Sequence, residues 1–249
     1  MARATLRCYA ELNDFLPAAR RQRDFELGFA APAPVRHLVE CCGVPHTEIE
    51  LVLRDGQSLG LEDTVADGDR LALYPVFEAF DVRPELRLRA RPLRAPRFLA
   101  DAHLGRLARQ LRMLGFDTLW ENDLGDDRLA QLSVREHRIL LTRDRRLLMR
   151  RELTHGCFVR SGGTGRQLAY LVERLQLCGA IRPFTRCMLC NAQVAAVPLS
   201  EVRERVPRGV VGTTQAFWRC TGCGRVYWQG THWRAMQARI AALCPPAPQ

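Results

Sequence analysis

Phe98-Leu99-Ala100-Asp101-Ala102-His103-Leu104-Gly105-Arg106-Leu107-Ala108-Arg109 is the stretch on which the fold turns. Three apolar residues end at an acid, and Leu104, Leu107, Ala108, Leu111 and Leu114 then recur at helical spacing until Gly115 stops the helix. The chain beyond repeats this alternation. Phe116 to Trp120 reads as a strand, Asp126 or Asp127 caps a helix running to His137, and Ile139-Leu140-Leu141 is a buried strand leading into Thr142-Arg143-Asp144. Arg145 to Arg151 reads as a helical turn and Cys157-Phe158-Val159 as a fourth strand. The Ser161-Gly162-Gly163-Thr164-Gly165 loop lacks a Walker pattern and reads as a turn into a helix carrying Leu168, Leu171, Val172 and Leu175. Strands alternating with helices predict an α/β domain over residues 98–180, a parallel sheet with flanking helices.

Downstream stand two C-x-x-C pairs, Cys187-Met-Leu-Cys190 and Cys220-Thr-Gly-Cys223, with 29 residues between the inner cysteines. Each pair sets two thiolates on one turn, and two turns supply the four soft ligands that tetrahedral zinc prefers. A zinc ribbon is expected over 181–249. Four thiolates close the coordination shell, so this Zn2+ is structural and the chemistry must lie elsewhere. His232 is therefore expected to pack rather than ligate. Trp218, Tyr227, Trp228 and Trp233 are expected to fill a thin ribbon core rather than stack on bases.

The 249 residues are enough for one large domain or two to three small ones, and 47% hydrophobic content supports real cores. Met1 to Tyr9 contains no uninterrupted apolar region and no stretch approaches a membrane span, which predicts a cytoplasmic protein with reduced thiols. Cys8, Cys41, Cys42, Cys157, Cys178 and Cys244 then read as small apolar residues. Every basic residue apart from histidine is arginine. Residues 1–82 hold 8 Arg against 14 Asp and Glu, whereas residues 83–249 hold 29 Arg against 13 acids, within a net charge of +10. The second part has the footprint of a polyanion binder, although a well-solvated surface would look the same.

Before the α/β domain, Leu6 to Ala10 and Phe25 to Phe29 alternate as strands, and Val35, Leu38, Val39 and Cys42 mark a helix stopped by Gly43. Glu48 to Arg54 runs as a strand into the Asp55-Gly56 turn, and Val65 to Tyr74 is a turn feeding a last strand. The order predicts a β-grasp domain over 1–82. Through Tyr9-Ala10-Glu11-Leu12-Asn13-Asp14-Phe15-Leu16 and the Val65 to Tyr74 close, it resembles the ubiquitin-like sulfur carriers. Those end in a free Gly-Gly, whereas here the chain runs through Pro75-Val76-Phe77, so the module is expected to dock a protein partner and not to carry sulfur. Arg83 to Arg97, with six Arg, three Pro and one acid, reads as a linker.

In an open parallel sheet ligands bind beyond the carboxyl ends of the strands. Asp101 directly follows one predicted strand and Asp144 follows another, while Asp126 and Asp127 begin the intervening helix. Carboxylates gathered there need cations, and oxygen-only ligation suits Mg2+ or Mn2+. Such ions orient a phosphodiester and lower the pKa of an attacking water. The competing reading is that these acids are helix N-caps with no part in catalysis.

Phe98-Leu99-Ala100-Asp101, Leu104 to Arg109, Leu114-Gly115-Phe116-Asp117-Thr118 and Leu140-Leu141-Thr142-Arg143-Asp144 resemble the RNase-like C-terminal domain of the Mut-seven exonuclease. Arg186-Cys187 to Cys190-Asn191 and Phe217-Trp218 to His232-Trp233 extend the resemblance, which covers nearly the whole chain. It implies a PIN-like fold, a ribonuclease role, and a catalytic set of Asp101, Asp126 and Asp144, with Asp127 the alternative to Asp126. Position 103 is His where that family often has Met, and position 128 is Arg where an acid is common. Together these features predict a divalent-metal-dependent ribonuclease whose RNA is held by Arg106, Arg143, Arg145 and Arg225. The alternative is a non-catalytic RNA- or ribosome-binding adaptor.

Overall fold

The computed structural model describes residues 1–75, 96–212, 214 and 216–245. The expected Arg/Pro linker therefore lies outside the described residues, apart from Pro96 and Arg97.

Residues 1–75 form the β-grasp sheet. Its strands are β1 (Ala2–Cys8), β2 (Phe25–Phe29), β4 (Ile49–Arg54), β5 (Gln57–Leu59) and β7 (Arg70–Pro75), in spatial order β2-β1-β7-β4-β5. β1 alternates inward Ala4, Leu6 and Cys8 with outward residues, so one face meets helix α1 (Val35–Cys41) through Val35, Leu38 and Val39. β1 and β7 run parallel, Thr5 opposite Arg70 and Cys8 opposite Leu73, with antiparallel neighbours on either side. Asp55 and Gly56 both take positive φ, the geometry of a tight hairpin between β4 and β5. A short pair, β3 (Ala33–Pro34) with β6 (Thr64–Val65), has no counterpart in the expected order.

The chain continues through β8 (Phe98–Ala100), α2 (Gly105–Met113), β9 (Thr118–Trp120), α3 (Asp126–Arg135), β10 (Ile139–Thr142), α4 (Arg145–Leu148), β11 (Gly156–Phe158) and α5 (Thr164–Arg174). It ends in β12 (Val194–Val197), α6 (Arg208–Val211), β13 (Phe217–Cys220), β14 (Val226–Trp228) and α7 (Thr231–Leu243). The strands and helices expected after residue 98 are all present, although β9 starts two residues later than the apolar run. No described helix is long and apolar enough to cross a membrane.

Two compact units emerge, and they are not consecutive in sequence. One joins Met1–Arg94 to Gly125–Val159; the other joins Ala95–Leu124 to Arg160–Gln249. In the first, β10 and β11 pair in parallel, Leu140 opposite Gly156 and Thr142 opposite Phe158. All four residues of β10 are buried, as an apolar run covered on both faces requires. The β-grasp core reaches this segment through Phe158, which packs against it, and the buried polar turn His46-Thr47-Glu48 bonds to Leu148, Leu153 and Phe158.

In the second unit β8 and β9 are parallel, Phe98 opposite Thr118 and Ala100 opposite Trp120. α2 buries Leu107, Ala108 and Leu111 and leaves Arg106 and Arg109 exposed. Gly115 ends α2 at φ +95, and a Cβ built there would overlap the Arg182 carbonyl oxygen. Gly115→Ala is therefore expected to cost at least about 2 kcal/mol, read as a fall in the denaturant midpoint, because strain and overlap must be relieved together.

Three expectations are corrected. Cys178 and Cys244 are not reduced apolar residues but a disulfide, Cα atoms 5.7 Å apart, which joins the turn after α5 to the end of α7. Their separation of 66 residues is a tertiary fact that no local spacing carries. Cys41 is exposed on α1, its sulfur 3.5 Å from His37 Nε2, because it falls on the helix face away from the sheet. Asp126 and Asp127 do not cap α3; Gly125 occupies that position and the two acids lie in the first turn, where negative charge suits the helix dipole.

Candidate metal centre and carboxylates

The four cysteines converge. Their sulfurs all lie within 4.8 Å of one another, and among the described residues this is the group of three or more His, Cys, Asp or Glu that could hold a metal ion. Two knuckles of matching geometry produce it. The Asn191 amide donates to the Cys187 carbonyl at 2.9 Å, and the Gly224 amide to the Cys220 carbonyl at 3.1 Å. Each donor directly follows the second cysteine of its pair and takes positive φ, 69° and 71°. The amides of Cys187 and Cys220 close the turns on the carbonyls of Ala192 and Arg225. β12, β13 and β14 form an antiparallel sheet with β13 in the centre, so Cys220 ends its middle strand.

The thiols compete for protons. Burial opposes ionisation of Cys190, but the Ala192 amide and the thiols of Cys220 and Cys223 outweigh it and bring Cys190 down to about 6. Burial pushes Cys220 up to about 12. The Tyr227 hydroxyl sits 3.1 Å from the Cys187 sulfur, and Trp228 packs on the Val202, Val206 and Phe217 cluster. Trp233 approaches Phe184 at 5.8 Å, so Trp228 and Trp233 pack as expected. His232 is exposed and outside the cysteine group, which corrects its expected packing role.

A polar bracket ties the first knuckle to α2 and β9. Arg112 is only 3% exposed, and its guanidinium donates to the carbonyls of Thr118 at 2.9 Å, Leu189 at 2.6 Å and Met188 at 3.3 Å. Burial lowers its pKa from the ordinary value, which nearby Cys187, Cys190 and Asp117 oppose. Asn191 Oδ1 accepts from the Thr118 amide at 3.0 Å while its Nδ2 donates to Asp117 Oδ1 at 2.7 Å. Asp117 also pairs with Arg97 and Arg186. In the sequence Arg112 reads as one more solvated arginine. The one signal for its role was its place on α2, next to Leu111 and one turn after Ala108, both of which are buried. Arg112→Ala strands three carbonyls and is expected to cost about 3 kcal/mol in chemical denaturation.

Each aspartate is placed differently. Asp101 immediately follows β8 and caps the short turn after it, accepting from the Ala102 amide at 2.6 Å, with His103 Nδ1 at 3.5 Å. Asp144 lies two residues past β10 and caps α4, its Oδ1 accepting from the amides of Arg146 at 2.7 Å and Leu147 at 3.4 Å. The Asp144 amide in turn donates to Thr142 Oγ1 at 3.0 Å. Asp126 and Asp127 are both exposed at the start of α3, and Asp127 is ion-paired with Arg150. None of the four belongs to the group gathered around a metal-sized space.

Of the nominated arginines, Arg106, Arg143 and Arg225 are exposed. Arg145 is half-buried, its guanidinium 5.1 Å from the Phe15 ring and 5.4 Å from the Phe158 ring. It donates to the Phe15 carbonyl at 3.2 Å, a contact between distant segments that the sequence does not announce.

The family model described as Mut7-C RNAse domain matches residues 96–240, and the model described as Mut7-C ubiquitin matches residues 1–81. No curated protein matches the chain. Among solved structures, small archaeal modifier protein 1 of H. volcanii is 24% identical and covers 30% of this chain and 98% of its own, with a TM-score of 0.25. A protein described as a molybdopterin converting factor, subunit 1, from Pyrococcus furiosus is 16% identical over 30% of this chain and 98% of its own, also at 0.25.

Proposed function

We propose, on the premise that the chain belongs to the Mut7-C RNAse domain family, that it is a divalent-metal-dependent ribonuclease hydrolysing RNA phosphodiester bonds. The observation that carries the reading is that the 96–240 match spans Asp101, Asp126, Asp127 and Asp144, with Asp101 and Asp144 each just beyond the carboxyl end of a parallel strand. That is where open α/β sheets bind ligands, and it supports a PIN-like arrangement.

In this reading Asp101, Asp126 and Asp144 supply oxygen ligands of a kind suited to Mg2+ or Mn2+, which when bound lowers the pKa of an attacking water and offsets phosphate charge. Asp127 is the weaker candidate because it is already ion-paired with Arg150. The two amides on Asp144 Oδ1 hold that carboxylate in one orientation. Arg106, Arg143 and Arg225 hold RNA phosphates from the surface, and Arg145 acts through packing.

The four cysteines fit a structural Zn2+. A tetrahedron with Zn–S bonds of about 2.3 Å has edges of roughly 3.8 Å. Cys187 to Cys223 is 3.7 Å and Cys190 to Cys220 is 3.3 Å. The ribbon built on that ion carries Arg219 and Arg225 and aids RNA binding.

The adaptor reading is favoured by one observation: Asp101 and Asp144 already serve as caps. Incubating the zinc-loaded chain with end-labelled single-stranded RNA in Mg2+ or Mn2+ separates the two. Cleavage lost in Asp101→Asn supports the ribonuclease. Salt-sensitive binding without cleavage in either metal supports the adaptor.

A further inference from the structure

A helix of one turn cannot hold itself, and α4 has four residues with Asp144 as its N-cap. Its neighbours in the N-terminal module grip both ends. At the front, Arg145 donates to the Phe15 carbonyl and lies against the Phe15 and Phe158 rings, which meet edge-on at 5.5 Å. At the back, Thr47 Oγ1 donates to the Leu148 carbonyl at 3.2 Å. The Leu148 side chain closes over Gly156, its Cδ2 2.5 Å from where a Cβ on that residue would lie. Beyond it His46 Nε2 donates to the Leu153 carbonyl at 2.9 Å, and the Glu48 carboxylate accepts from the Phe158 amide.

His46, Thr47 and Glu48 are 4%, 1% and 1% exposed. Three consecutive buried polar residues are costly unless each meets a partner, and residues 148–158 of the same chain supply those partners. This turn of the module is thus matched to its own chain.

We propose that the N-terminal ubiquitin-like module is a built-in positioning element, with Phe15 and Thr47 as positioning residues that hold α4, and through it the Asp144 carboxylate. The consequence for catalysis rests on the ribonuclease reading. If α4 frays, the amide bonds to Asp144 Oδ1 and the orientation of the carboxylate are lost together.

The test uses the full zinc-loaded chain carrying Thr47→Val, Phe15→Ala or Phe15→Tyr. Amide hydrogen exchange is followed at Arg146 and Leu147, and Mn2+ binding by the loss of the free-ion electron spin resonance signal. Thr47→Val is expected to speed exchange about fivefold, and Phe15→Ala by more than about tenfold, while Phe15→Tyr, which keeps the ring, stays close to the parent. Half-saturating Mn2+ should rise in the same order. A merely structural role would raise that midpoint only in proportion to the fall in the folded fraction, read by circular dichroism, whereas positioning raises it beyond that. Thr47→Val keeps its shape, so it decides the matter if Phe15→Ala fails to fold. Unchanged exchange, or faster exchange with a Mn2+ midpoint raised no further than the folded fraction requires, overturns the proposal. A parent that binds Mn2+ but cleaves no RNA sinks the ribonuclease reading alone, with positioning still decided by the variants. A parent that binds no Mn2+ sinks both.

Discussion

Asp144→Asn is expected to reduce Mn2+-dependent RNA cleavage by at least about a thousandfold while shifting the melting temperature by no more than about 2 °C. The contrast comes from the observed role and the proposed role of one side chain. As an N-cap, Asp144 accepts from Arg146 and Leu147 through Oδ1, and asparagine offers the same carbonyl oxygen at nearly equal capping strength. In the proposed role of metal ligand it would contribute charge, which asparagine lacks. Stability and activity should therefore separate in one substitution. A labelled-RNA assay run beside a thermal melt checks this, and cleavage equal to the parent's in a folded variant would remove Asp144 from the proposed site.

Cys220→Ser is expected to release the metal and unfold the ribbon. Structural zinc in small peptides contributes on the order of 10 kcal/mol, and a serine hydroxyl is a poor replacement for thiolate. Cys220 ends the central strand β13 and its sulfur accepts from the amides of Gly222 and Cys223 at 3.4 Å, so the loss spreads into both hairpins. Metal content should fall from about one zinc per chain to near zero, with rapid exchange across β12 to β14. β1 to β7, with a core of their own around Leu6, Leu38 and Leu73, should exchange as in the parent. Retained zinc in the serine variant would show that the four sulfurs are not one shell.

These two expectations differ in how openly the chain announced them. The cysteine shell was legible because each half is local: two ligands three residues apart on one turn. The convergence of the halves needed only β12 and β13 to pair, Val194 opposite Cys220. The disulfide was not legible, since Cys178 and Cys244 have no motif around them and their joining depends on where α7 ends. The N-terminal start pointed to reduced thiols, and that inference about environment could not see a pair brought together by packing. Arg112 was missed for a related reason. A long charged side chain in an amphipathic helix looks solvated until its acceptors, carbonyls 6 to 77 residues away, are in place.

Alternation of apolar runs and helical spacing was sufficient to determine the β-grasp order, the strands β8 to β11 and the helices between them, because those signals repeat every two or 3.6 residues within a single element. What only the tertiary structure decided is which elements share a core. Gly125–Val159 forms one compact unit with the N-terminal module, and His46, Thr47 and Glu48 find partners 101 to 110 residues away. Contacts over such distances are selected by shape, burial and hydrogen-bond matching after the chain has collapsed. Periodicity records the face an element hides, but not the surface that hides it.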